Sequence, residues 1–222
     1  MPRTGAATRR LWCGFGIHRV GWRCDPALSM IVVGFVTASA LAGIVLALFG
    51  AEERGTILAL RLTARWSFVL FWLAYTGGAL ARLFGPRLDR LARRGRELGL
   101  AFASAQLTHI VLVLWLYHIA TGPSGAMTFF WSGTACLYAL ALSSLPRLRN
   151  VFDPQFWRVF RVIAIEYIAV VFASDFIFGP LRAGAGTYPW SYTPFALMLV
   201  GGVCLRAVAF MATVWPHQAK IQ

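Results

Sequence analysis

Long apolar runs separated by short polar connections dominate the chain. Six of these runs approach the ~20 predominantly apolar residues that a helix needs to cross a bilayer. They are Leu28–Gly50, Arg65–Phe84, Leu98–Ala120, Ala126–Leu145, Arg158–Phe178 and Pro194–Val214. The pattern predicts an all-α integral membrane protein with six transmembrane helices, the second of which is interrupted by Thr76-Gly77-Gly78.

Composition excludes an ordinary soluble domain. Apolar residues make up 59% of the 222 residues and charged residues 13%, whereas about a quarter of the residues of a soluble domain are charged. The formal net charge is +13. Because the cations flank the apolar runs, this charge favours membrane lipid as the partner and argues against nucleic acid.

The distribution of Lys and Arg predicts the orientation of the spans. Sixteen of the 21 cations fall in the leader, the second and fourth connections, the start of the fifth span and the tail, and four fall on the opposite side. Cytoplasmic loops carry the excess of Lys and Arg, so both termini are predicted to be cytoplasmic. The chain then divides into a basic cytosolic or interfacial leader (1–27), the six-helix domain (28–214) and a cytosolic tail (215–222).

Motifs for soluble cofactors are absent from the sequence. No dinucleotide-binding or Walker sequence occurs. Cys13, His18 and Cys24 precede the first span at spacings that match no standard zinc pattern, so we interpret the cysteines as free thiols, with a three-ligand metal site as the alternative.

Apart from the arginines close to the span ends, five ionisable side chains inside the predicted spans are candidates for function, because an unpaired charge there costs several kcal/mol. They are His109, His118, Glu166, Asp175 and Arg206. At ~1.5 Å per residue, Glu166 and Arg206 both lie about 12 Å from the inner boundary, which predicts an ion pair between the fifth and sixth spans. The pair is either a polar centre for a proton, an electron or a cofactor, or a structural link between two helices.

The histidines and the second carboxylate extend this polar centre outwards. His109 lies near the midplane, where a lone imidazole is either a cofactor ligand or a hydrogen-bonded packing residue. Asp175 and His118 reach similar depths near the outer surface, which predicts a solvated pair at the rim. Because His109 and His118 are nine residues apart, they face nearly opposite directions and do not bind one iron together.

Several stretches of the sequence together resemble the ferric reductase-like transmembrane domain family, most closely the haem subunit of the bacterial methionine sulfoxide reductase system. They span about Gly55 to Phe178. The matching features are the short span Trp66–Phe84 with its basic turn, Arg96, Leu98-Gly99-Leu100, His109 nine residues later, Ser143-Ser144-Leu145, and Phe156-Trp157-Arg158 at the start of the fifth span.

The resemblance implies a b-type cytochrome that passes electrons across the membrane through haem held by histidines of its third and fifth spans. His109 falls on the third-span ligand, whereas the two histidine positions of the fifth span are Arg161 and Ser174 here. The resemblance therefore implies a transmembrane electron-transfer subunit with a degenerate haem b site, a separate redox partner protein, quinone or FMN as the donor, and a bacterial inner membrane location. The alternatives are a non-catalytic scaffold or assembly subunit and a small transporter.

Overall fold

The computed structural model describes residues 26–120, 127–144, 153–182 and 190–218. Within these ranges the chain is almost entirely helical and contains no strand. Most of the predicted leader, with Cys13, His18 and Cys24, and the last four residues of the predicted tail lie outside the described residues.

Helices follow one another with short connections. In chain order they are α1 (Pro26–Phe49), α2 (Glu53–Phe84), a 3₁₀ turn (Pro86–Leu88), α3 (Asp89–Arg93), α4 (Gly95–Ile119), α5 (Met127–Ser143), α6 (Pro154–Ala173), a π-helical turn (Ser174–Phe178), α7 (Gly179–Arg182) and α8 (Thr193–Gln218).

Four helices are long and apolar enough to cross a membrane, judged by length and composition. They comprise Ala27–Phe49, Glu53–Phe84, Gly95–Ile119 and Thr193–Thr213. Helix α5 has 17 residues, fewer than the ~20 that span a bilayer. Helix α6 has 20 residues but includes Arg158, Arg161 and Glu166. The four long apolar helices indicate a membrane protein.

Large apolar side chains lie on the outside of the bundle as well as in its core. Large apolar side chains cover the outside of α1, where seven of them are more than half exposed: Leu28, Val32, Val33, Val36, Ile44, Leu48 and Phe49. The interior face of α2 instead presents fully buried hydroxyl groups, those of Thr56, Thr63, Ser67 and Thr76. An apolar exterior of this extent suits contact with lipid rather than with water.

Helix α2 lies at the centre of the bundle and contacts α1, α4 and α8. Small residues allow these helices to approach closely. A methyl group at Gly34 of α1 would collide with the carbonyl oxygen of Ala101 in α4, and one at Gly202 of α8 would lie 2.9 Å from the indole nitrogen of Trp72 in α2. Close backbone approach at small residues is a common way for membrane helices to associate.

The predicted start of the second span at Arg65 is wrong, because α2 begins at Glu53 and contains 32 residues. Arg65 therefore lies within α2, where two residues just before α8 contact its guanidinium. Its Cζ lies 5.3 Å from the ring centroid of Tyr192, and its Nη2 donates to Ser191 Oγ at 2.9 Å. Cation–π and hydrogen-bond contacts of this kind offset part of the cost of a charge inside a long apolar helix.

The predicted interruption at Thr76-Gly77-Gly78 is also absent from α2, which continues as a helix to Phe84. The Thr76 hydroxyl donates to the carbonyl of Trp72 at 2.7 Å, one turn earlier. Gly77 lies against Leu91 of α3. The small residues at this point therefore permit a close contact rather than a break.

Helix α6 begins at Pro154, four residues before the predicted start of the fifth span. The carboxylate of Asp153 caps the helix by accepting from the backbone N–H groups of Gln155 at 3.1 Å and Phe156 at 3.3 Å. The first N–H groups of a helix have no acceptor within the helix, so proline, which lacks an N–H, is favoured at the first helical position. The sequence therefore favours a helix start here. At the other end, the α-helix gives way to a π-helical turn that contains Asp175.

Candidate functional site

Three side chains from three helices meet in the candidate functional site. Nη2 of Arg206 in α8 lies 2.8 Å from Oε1 of Glu166 in α6. The hydroxyl of Tyr75 in α2 donates to the second carboxylate oxygen, Oε2, at 2.9 Å. The ion pair between Glu166 and Arg206 that the sequence predicts is therefore confirmed, and Tyr75 completes a triad.

The guanidinium of Arg206 makes two further contacts with Tyr75. Its Nη1 donates to the backbone carbonyl of Tyr75 at 3.2 Å, and its Cζ lies 4.3 Å from the centroid of the Tyr75 ring. A guanidinium over an aromatic face is attracted by the ring quadrupole. Arg206 thus joins α8 to α2 and to α6 at the same point.

The triad opens onto a cleft of about 650 Å³ that we call the α2–α8 cleft. The side chains of Arg206 and Glu166 are 32% and 44% exposed, and both face it. Small residues form much of the wall, and Arg82 at the last turn of α2 lies at the end nearest α3. The lining residues are Ala74, Tyr75, Gly78, Ala79, Arg82, Ala92, Glu166, Val203, Arg206, Ala207, Ala209 and Phe210.

His109 does not join the triad. Its Nδ1 lies 3.0 Å from the hydroxyl oxygen of Thr63 in α2, and its ring centroid lies 6.0 Å from that of Phe130. The Thr63 hydroxyl oxygen also lies 2.9 Å from the carbonyl oxygen of Ala59. Thr63 Oγ1 therefore lies between this backbone carbonyl and Nδ1 of His109, and the tautomer of the ring decides which of the two side chains donates.

The predicted rim pair of Asp175 and His118 does not form among the described residues. His118 is exposed and lies beside Trp115, with ring centroids 5.7 Å apart. Asp175 is exposed in the π-helical turn after α6. Among the described residues, Asp175 and His118 form no ion pair with each other. Similar depth along two helices does not place two side chains on facing sides.

Phenylalanine rings fill the space between α4 and α6. The ring of Phe172 in α6 lies 5.9 Å from Phe102 in α4, and 5.2 Å from each of Phe68 and Phe71 in α2. Phe176 stacks on Phe172 at 5.9 Å. All five side chains are at most 6% exposed, so this aromatic cluster is closely packed.

The residues present do not fit the bis-histidine haem that the family resemblance implies. Helix α6 contains no histidine, so His109 has no second histidine opposite it. The hydroxyl of Tyr167, a side chain of α6 that could bind iron, is hydrogen-bonded to Ser132. The gap beside Phe130 and Gly133 has a volume of about 30 Å³, against the ~300–1,000 Å³ of a cofactor site. The described ranges also hold no group of three His, Cys, Asp or Glu that could bind a metal ion.

Tyr75, Arg82 and Thr63 are site residues that the sequence pattern does not predict. Tyr75 lies nine residues before the end of α2, about 13 Å deep by the helix rise, which matches the depth assigned to Glu166. That match was available from the sequence. Thr63 was not predicted because the expected second span began at Arg65, two residues after it.

Comparison with protein-family models, with curated protein sequences and with solved structures found no match to this chain.

Proposed function

We propose that this protein is a haem-less relative of the ferric reductase-like transmembrane domain that acts as a non-catalytic scaffold or assembly subunit in the bacterial inner membrane. It has six spans with both termini in the cytoplasm. Any electron transfer belongs to a separate redox partner protein, for which this subunit supplies the membrane-embedded surface.

The aromatic cluster between α4 and α6 carries this proposal. In the family that the sequence resembles, the third and fifth spans hold the haem between them, and these spans correspond to α4 and α6. Here that interface holds Phe102 and Phe172 with buried rings of α2 and of the π-helical turn. Closely packed rings exclude a flat macrocycle, since protein interiors leave few voids larger than a water molecule.

The charged triad supports the same function. Glu166, Arg206 and Tyr75 link α6, α8 and α2 through charge-assisted hydrogen bonds, which stabilise a bundle that has no cofactor to hold its helices together. An ion pair used in this way determines which sides of the helices pack together. This role requires no redox chemistry.

An absorption spectrum of the purified protein tests the proposal. The full chain is produced in cells supplied with a haem precursor and purified in mild detergent. We expect no Soret band and no reduced b-type peaks. One haem per chain, lost in His109→Ala, would overturn the proposal.

A variant with restored ligands separates missing histidines from a filled interior. Arg161→His with Ser174→His returns both fifth-span positions to the family pattern. We expect this double variant to stay colourless, because the aromatic rings still occupy the interface. Stoichiometric haem in the double variant would show that packing is not the obstacle.

The orientation has its own test. Single cysteines placed near each terminus of an otherwise cysteine-free chain should react with a membrane-impermeant thiol reagent only from the cytoplasmic side of the cell membrane. Labelling of the two termini from opposite sides would contradict six spans with cytoplasmic ends.

The second candidate is the electron-transfer subunit that the resemblance implies, and one observation favours it. The ring of His109 is oriented by the hydrogen bond between its Nδ1 and Thr63. A histidine that a hydrogen bond orients through one ring nitrogen is the usual arrangement of a metal or haem ligand. The same spectrum decides between the two candidates.

A further inference from the structure

The α2–α8 cleft has two different ends. At one end Glu166, Arg206 and Tyr75 satisfy one another. At the other end stands Arg82, seven residues and about 10 Å further along α2 than Tyr75. Arg82 is exposed and forms no ion pair with any residue in the described ranges.

The charges of the cleft do not balance. Arg206 is compensated by Glu166 at 2.8 Å, so Arg82 leaves a net charge of about one positive unit in the lining. The connection that follows α2 adds further cations, Arg87, Arg90, Arg93, Arg94 and Arg96, against the acids Asp89 and Glu97. This end of the cleft therefore attracts an anion.

The remaining wall of the cleft is apolar. Val203 and Phe210 of α8 are 45% and 66% exposed and lie seven residues apart on one face of the helix, with Ala207 between them. Opposite them, the small residues Ala74 and Gly78 of α2 leave space in the cleft. A methyl group at Gly78 would meet nothing within 4 Å, so the cleft has room beside α2.

We propose that the α2–α8 cleft binds one anionic phospholipid of the leaflet in which α2 ends. Arg82 binds the phosphate of the headgroup, and an acyl chain lies against Val203 and Phe210. The proposal rests on the membrane placement of the helices given above, and it is independent of whether the protein contains haem.

An anionic lipid fits the cleft better than a zwitterionic lipid or a soluble anion. A choline headgroup would bring an ammonium next to Arg82 and the cations of the following connection, whereas a glycerol headgroup leaves the phosphate charge uncompensated. A soluble anion would leave the apolar α8 wall without a partner. Basic pockets between transmembrane helices are typical sites for anionic lipid headgroups.

Lipid retention measures this binding. The full chain is reconstituted in nanodiscs of phosphatidylcholine with a minor fraction of phosphatidylglycerol, released into mild detergent and examined by native mass spectrometry. We expect about one phosphatidylglycerol per chain to be retained in preference to phosphatidylcholine. Arg82→Gln should weaken retention about fivefold, since a juxtamembrane cation contributes ~1 kcal/mol to anionic lipid binding.

Two variants separate the cleft from general surface charge. Arg158→Gln removes the same charge from an exposed position on α6, outside the cleft lining, and should retain the lipid. Ala207→Leu leaves the charges intact but fills the space, and should lose it. Circular dichroism of each variant verifies that the helices remain folded.

Four results would overturn the proposal. Equal loss in Arg158→Gln and Arg82→Gln would assign retention to diffuse surface charge. Equal retention of both lipids would remove the selectivity. Displacement by glycerol phosphate would show that a soluble anion suffices, and a quinone retained in place of the lipid would assign the cleft to a neutral amphiphile. A Soret band would contradict the proposed function and leave this lipid count unchanged.

Discussion

The Glu166–Arg206 pair offers the sharpest test of how the bundle is held together. The variants are Glu166→Gln, Arg206→Gln and the double substitution. Each single change leaves one charge without its partner at the junction of α2, α6 and α8, whereas the double change removes both. The interaction is the difference between the double effect and the sum of the single effects.

The magnitude follows from the distance and the exposure. At 2.8 Å, and with an effective dielectric constant of about 20, the Coulomb attraction is about 6 kcal/mol before desolvation is subtracted. Desolvation cancels most of that attraction. The side chains are 32% and 44% exposed to the cleft, so screening reduces it further and we expect a coupling of about 1–2 kcal/mol.

Reversible unfolding in mixed micelles, titrated with a denaturing detergent and followed by circular dichroism, gives the free energies. The control is the surface pair of Asp89 and Arg93 in α3, whose Oδ2 and Nη2 are 3.6 Å apart. A cycle of Asp89→Asn and Arg93→Gln should give a coupling of about 0.3 kcal/mol. Strictly additive effects at Glu166 and Arg206 would refute the assignment of the triad as a stabilising link.

Three further predictions concern packing and use the same unfolding assay. Gly34→Val should destabilise the protein by about 2 kcal/mol, because the added side chain meets the backbone of α4. The control Gly43→Val, at a position with nothing within 4 Å, should change the stability by less than about 0.5 kcal/mol. Equal losses in the two variants would contradict the close approach of α1 and α4. Phe68→Ala should cost about 2 kcal/mol through the cavity left in the aromatic cluster, and Phe84→Ala, at a position 63% exposed, should cost far less. Trp72→Phe removes a 2.6 Å hydrogen bond to a carbonyl of α8 and should cost about 1 kcal/mol, so an unchanged stability would argue against that bond.

Depth is the coordinate that sequence determines well in a membrane helix. The rise per residue places Glu166 and Arg206 at one level, and the structure joins them. The same arithmetic applied to Asp175 and His118 fails, because depth gives no information about rotation around the helix axis. Which sides of two helices face each other depends on packing, and packing is decided by the whole bundle.

The boundary of α2 shows a second limit. Arg61 and Arg65 suggest a polar connection when the chain is examined locally, yet the helix continues through both. Arg65 is accommodated by the face of Tyr192 and the hydroxyl of Ser191, residues more than a hundred positions away. A local pattern cannot show a partner at that separation, and the contact of His109 with Thr63 was lost with the same misplaced boundary.

The central position of α2 has a consequence for biogenesis. Among the four long apolar helices it has the lowest mean hydropathy, 1.5 against 2.5 for the first, and its interior face carries four hydroxyl side chains that are buried once the neighbouring helices pack against it. At about 48 Å it also exceeds the ~30 Å hydrocarbon core. A segment of this kind is poorly retained on its own as it leaves the translocon. We expect α2 to be secured in the bilayer only once α4 has emerged and covered its polar side, so that the first half of the chain integrates as one cooperative unit.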